Sequence, residues 1–164
     1  SLHKFATAKV HLMLYQLQKL SEEERLTVRR SPIWVTLLIA CADHDIDESE
    51  LDRAKEIIHI KSFALKNDVK DLYEAIEEDL DNEIDNALKS LSASGEERLA
   101  QIEEEISKLN KILPKLERSY AVQLHKSLQS LAVSVAQSDG GMFGIGRISS
   151  DEKKYITLPM LVQP

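Results

Sequence analysis

The chain has few of the residues that mark disulfide-held, β-rich or unstructured proteins. Its 164 residues include one cysteine, 5 glycines, 4 prolines and only 5% aromatic residues. A lone cysteine cannot close an intrachain disulfide, so a stapled scaffold is excluded and a reducing compartment, the cytoplasm, is expected. Cys41 lies inside the most apolar stretch, where a thiol packs as a small hydrophobe rather than serving as a nucleophile. Positive charge is also in short supply. A net charge of −7 and a pI near 5.3 leave no basic surface for nucleic acid or for anionic lipid, and point instead to a cationic partner or a divalent metal. No long hydrophobic run is present. The eleven uncharged residues from Pro32 to Ala42 fall short of the roughly 20 that span a bilayer, so direct membrane insertion is not expected. No basic and apolar leader opens the sequence.

What remains is a 43% apolar, 30% charged chain whose hydrophobic residues recur at helical spacing, and the expectation is one all-α domain over residues 1–164, a bundle of about seven to eight helices. Phe5, Val10, Leu12, Leu14, Tyr15, Leu17 and Leu20 outline a first helix. Ser21 and Glu24 form a capping box that opens a short second helix towards Arg30. Ser31-Pro32 predicts a restart, with serine at the N-cap and proline at the first helical position. Ile33–Ile39 has a strand's composition, but caps at both ends and the absence of any partner strand predict a buried helix. Beyond it, Asp47 and Glu50 form a second capping box, and a helix follows through Ala54, Ile57 and Ile58. The middle of the chain, 65–114, is helical and acidic. Val69, Leu72, Ile76, Leu80, Ile84 and Leu88 sit three or four apart. Leu99, Ile102, Ile106, Leu109, Leu113, Leu116 and Tyr120 follow a heptad-like spacing, and Pro114 ends or kinks that helix. A long helix from about Lys115 to Ser138 and a short one opening at Ser149 complete the pattern.

The candidate chemistry lies where the apolar stretch ends. Asp43, Asp45 and Asp47 alternate, and Glu50 follows, so hard oxygen donors of the kind Ca²⁺, Mg²⁺ or Mn²⁺ prefer over Zn²⁺ are close together. The segment is not an EF-hand loop: Glu48 stands where glycine is required, and Ala54 where the bidentate glutamate belongs. The same residues make equal sense as turn and cap residues, with Asp43 accepting N–H groups of the turn and Asp47 capping the next helix. His44 could add a nitrogen donor. The other histidines form no His-x-x-x-His or Glu-x-x-His pair, and no Gly-x-Ser-x-Gly nucleophile motif occurs. Gly141 to Gly146 lacks the lysine of a phosphate loop. Met142, Phe143 and Ile145 stand at its tip, either to meet a partner or a second copy of the chain, or to fold back over the bundle.

The sequence also echoes itself. Trp34–Glu50 reads as apolar helix, Ala-Asp, Ile, Asp-x-x-Glu; Leu131–Glu152 reads as apolar helix, Ser-Asp-Gly, a loop, Ile, Ser-x-x-Glu. Asp43 thus corresponds to Asp139, Ile46 to Ile148, and the Asp47/Glu50 pair to Ser149/Glu152. In Ala42-Asp43-His44-Asp45-Ile46-Asp47-Glu48-Ser49-Glu50, and again in Ser138-Asp139-Gly140 with Ile148 to Glu152, the chain resembles the TerB-like family associated with tellurite resistance. The resemblance covers residues 5–64 and about 115–158. It departs at His44, where the family has glycine, and in the inserted loop 141–147. It implies a helical bundle with a pseudo-twofold pair of helix–acidic loop–helix units. It further implies a non-enzymatic, cytoplasmic bacterial protein of tellurite or other stress resistance. Its acidic sites (Asp43, Asp45, Asp47, Glu50, Asp139, Glu152) would bind a divalent metal, a protein partner in the membrane, or both. A homodimer is left open, as is a pure interaction module that takes no metal.

Overall fold

The computed structural model describes residues 15–46, 48–138 and 148–164. The predicted first helix lies outside these residues as far as Leu14; of its remainder, Leu17 and Leu20 are in the core. Arg25 fixes the turn there, donating to the Leu17 and Gln18 carbonyls at 3.1 and 3.2 Å. Ser21 then opens a helix as its capping box predicts. Its hydroxyl accepts the Glu24 N–H at 3.2 Å, and the Glu24 carboxylate accepts the Ser21 N–H at 2.9 Å, so two donors that a helix start leaves orphaned are satisfied. Lys115 pairs with the same glutamate.

The predicted restart at Ser31-Pro32 does not occur. A single helix, α1 (Glu22–Ala40), runs straight through the proline. Pro32 has no N–H to give the Val28 carbonyl, the loss that usually breaks a helix. Here the buried Ser31 hydroxyl donates to that carbonyl at 2.7 Å instead. The serine expected to cap a new helix thus repairs the old one, and every residue from Ser31 to Ala40 is buried.

The remaining helices are α2 (Glu48–Ala64), α3 (Lys70–Glu77), α4 (Leu80–Lys89), α5 (Gly95–Ser107), α6 (Leu109–Ile112), α7 (Arg118–Ser138) and α8 (Ser150–Lys153), with a 3₁₀ turn at Leu113–Lys115. No strand occurs among the described residues, and the architecture is the all-α bundle that the composition predicts. α1 is its axis, packed chiefly on α7 and α5 and also touching α2, α3, α4 and α6, while α2 lies against α3 and α7. One continuous apolar cluster joins these helices.

The periodic residues of the middle region fill the core as their spacing predicts, but across more elements than expected. Val69, just ahead of α3, and Leu72, Ile76, Leu80 and Ile84 are buried and Leu88 is half-buried against them, on two helices separated at Glu78-Asp79. The heptad-like series from Leu99 to Tyr120 is buried throughout yet crosses α5, α6 and the 3₁₀ turn around Pro114, so α7 begins at Arg118 rather than Lys115. Ser149 and Glu152 form the reciprocal capping box of α8. The Tyr73 hydroxyl accepts a bond from Ser127 at 2.9 Å, which gives the one polar tip of that buried ring its partner.

Candidate functional site

The end of α1 delivers the chain from full burial to solvent within three residues. Cys41 and Ala42 are buried; Asp43, His44 and Asp45 are exposed. The turn is built from its own backbone. Cys41 N–H reaches Leu37 O at 2.9 Å and His44 N–H reaches Cys41 O at 2.9 Å. One carboxylate oxygen of Asp43 accepts the Asp45 N–H at 3.1 Å, the Asx-turn use of an aspartate. His44 sits at φ 72°, the left-handed region that glycine enters without cost. A histidine thus occupies a backbone conformation that glycine would favour.

A helix C-terminus followed by aspartates concentrates negative charge, and a cation is expected there. The cation is Arg98 from α5. Its guanidinium donates to the His44 carbonyl at 2.7 Å and lies beside the Cys41 thiol. Gly95, at the start of the same helix, makes the approach possible: a Cβ at that position would fall 2.6 Å from His44 Cβ. The start of α5 thus clamps the first acidic loop, with Arg98 binding it from one turn further along.

A second arginine closes the other acidic helix end. Arg53, in the second turn of α2, donates to the Ser138 carbonyl at 2.7 Å. This contact draws the C-terminus of α7, from which the chain enters its second acidic segment, to the helix that follows the first loop. Neither arginine stands out in the sequence, because a cap supplied across 54 or 85 residues leaves no local pattern.

Of the residues singled out from the sequence, Asp47, Asp139, Met142, Phe143 and Ile145 lie outside the described residues. Asp45 is exposed and Glu50 half-buried beside the first loop. Glu152 is 7% exposed and directed into its own capping box, where its carboxylate accepts the Ser149 N–H at 2.8 Å. Among the described residues, no group of three or more His, Cys, Asp or Glu side chains is placed to share an ion. Elsewhere, the sequence offers no pairing for His59, whereas the fold joins its ring to the Glu77 carboxylate of α3, which also takes the Ser62 hydroxyl. The carboxylate sits between histidine and serine, so His59 is not placed to take a proton from that hydroxyl.

Burial pushes the Cys41 thiol up to about 11, against the opposing pull of Arg98. At pH 8 that leaves a thiolate fraction of about one in a thousand. Iodoacetamide should therefore modify Cys41 in the native protein at least ~100-fold more slowly than in urea, as followed by intact mass. Rapid native labelling would show the thiol to be accessible and activated.

Comparison of the chain with models of protein families, with curated proteins and with solved structures finds no match. No helix among the described residues is long and apolar enough to cross a membrane.

Proposed function

We propose that the chain is a non-enzymatic helical binding module, TerB-like in its two helix–acidic loop–helix halves, that serves a bacterial stress response in the cytoplasm. It would dock a protein partner through the acidic end of the bundle. The observation that supports this reading is the arginine clamp. Arg98 and Arg53 tie down the two helix ends that lead into the acidic segments, so that Asp43 and Asp45 are presented on a braced turn. Presentation on a rigid frame lowers the ordering cost of binding. The reducing setting is supported by the single cysteine, and the link to tellurite rests on the resemblance alone.

A divalent ion is the other occupant these carboxylates admit, but the described donors fit it poorly. One Asp43 oxygen is engaged by the Asp45 N–H, Glu152 serves its cap, and the described donors do not converge. Docking of a protein through Asp43 and Asp45 does not itself require the ion.

Chelator-treated protein should unfold at the same temperature with or without added Ca²⁺, Mg²⁺, Mn²⁺ or Zn²⁺. Binding to the native state alone would raise the midpoint by RT ln(1 + [L]/Kd). The diagnostic variant is Asp43→Asn, which keeps the side-chain oxygen that closes the turn and removes only the charge. A concentration-dependent rise that this variant abolishes would overturn the metal-free reading. Partner capture should survive chelator and be lost in Asp45→Lys, an exposed change expected to move stability by no more than about 0.5 kcal/mol. Capture unaffected by that reversal would place the partner on another face.

A further inference from the structure

A cavity of about 290 Å³ lies between α1 and α4 and is lined by Arg30, Ile33, Trp34, Glu83, Asn86, Ala87 and Ser90. The α4 side presents one helix face, since positions 83, 86, 87 and 90 recur at three- and four-residue spacing. The apolar wall is Ile33 with Trp34, the chain's single tryptophan, and both side chains are buried. Small-molecule sites have this make-up, an apolar and aromatic wall with a few polar groups, and 290 Å³ falls just below their range of roughly 300–1,000 Å³. A one- or two-ring molecule is what fits.

The polar wall sets the charge of that molecule. Glu83 is approached by two guanidiniums, Arg29 at 3.6 Å and Arg30 at 3.4 Å. Both distances exceed the roughly 2.7–2.9 Å of a well-formed charge-assisted hydrogen bond. Arg30 and Glu83 both line the cavity and Arg29 does not; Arg29 offsets the Glu83 charge at 3.6 Å, which leaves Arg30 as the cationic group of the wall. Arg30 meets Glu83 through Nε, which leaves its terminal nitrogens, a planar fork suited to a carboxylate, for another acceptor.

We infer that the α1–α4 cavity binds a small aromatic carboxylate, its ring against Trp34 and Ile33 and its anionic group on Arg30. This site shares no residue with the acidic loops and stands or falls independently of the function proposed above.

Trp34 supplies the readout, because all tryptophan fluorescence comes from the cavity wall. The probes are 2-naphthoate and the uncharged 2-naphthylmethanol, titrated into the full chain, with calorimetry as a second signal. Naphthoate should quench Trp34 saturably and bind at least ~10-fold more tightly than the alcohol. Arg30→Gln, at a side chain 42% exposed and so tolerant of change, should weaken naphthoate at least ~10-fold and erase its preference over the alcohol. Ala87→Leu, which projects a larger side chain into the cavity, should weaken both. Non-saturating quenching, equal affinity for acid and alcohol, or full naphthoate binding by a folded Arg30→Gln would each overturn the assignment. Should Ala87→Leu fail to fold, Arg30→Gln alone decides.

Discussion

Leu38→Ala is expected to remove about 2–5 kcal/mol of stability, the range for deleting a fully buried leucine side chain. Leu38 has no exposed surface, and its neighbours from Ser31 to Ala40 are buried as well. The cost should lie at the upper end, because α1 is packed by helices on several sides and the surroundings cannot collapse from any one of them into the vacated volume. The midpoint of urea unfolding should fall at unchanged slope, the sign of lost stability rather than of a change in the surface exposed on unfolding. Leu26→Ala is the control: this side chain lies in the same helix but is 39% exposed, and its loss should cost less than about 1 kcal/mol. Equal costs at the two positions would mean that α1 is not the axis of the bundle.

Gly95→Ala should destabilise by about 1–3 kcal/mol, the usual cost of forcing atoms into filled space. In most helices the same change stabilises by about 0.5–1 kcal/mol, because alanine loses less entropy on folding. Here the sign is reversed by one contact. The new Cβ would stand 2.6 Å from His44 Cβ and 3.0 Å from the ring, and a Cβ atom cannot swing away as the far end of a long side chain can. Either the loop or the start of α5 must move, and moving either pulls Arg98 off the His44 carbonyl. His44→Gly removes the obstacle and suits the left-handed backbone at that position. In that background Gly95→Ala should become neutral or stabilising. A double-mutant cycle measures the difference directly, and a coupling of at least about 1 kcal/mol is expected. Additive effects would show that Gly95 and His44 do not touch. The natural pairing, histidine in the loop and glycine opposite it, is what lets this chain keep its turn with a side chain in place of hydrogen.

Much of this fold is legible in the sequence because helices are specified locally. Ser21 with Glu24, and Ser149 with Glu152, lie three residues apart and form their caps within a single turn. The series Val69–Ile84 and Leu99–Tyr120 follow helical spacing, and burial of that face is what drives folding, so the core positions could be named before any contact was seen. The acidic turn after Ala42 is legible for the same reason: Asp43 reaches the N–H of its own neighbour but one.

The tertiary structure decided the rest, wherever an outcome depended on a partner distant in sequence or on a balance between two local rules. Pro32 by itself predicts a helix start, but burial on all sides of Ser31–Ala40 favours one continuous helix, and the Ser31 hydroxyl makes good the missing bond to Val28. The cations at the acidic ends are Arg98 and Arg53, indistinguishable in sequence from solvated surface arginines until α5 and α2 dock. The meeting of His59 with Glu77, and of Arg30 and Trp34 with the face of α4, likewise exist only once the helices pack. Composition and spacing determined that the chain is a helical bundle with an acidic turn after its buried helix; packing alone determined which arginines reach the His44 and Ser138 carbonyls and where the bundle leaves a cavity.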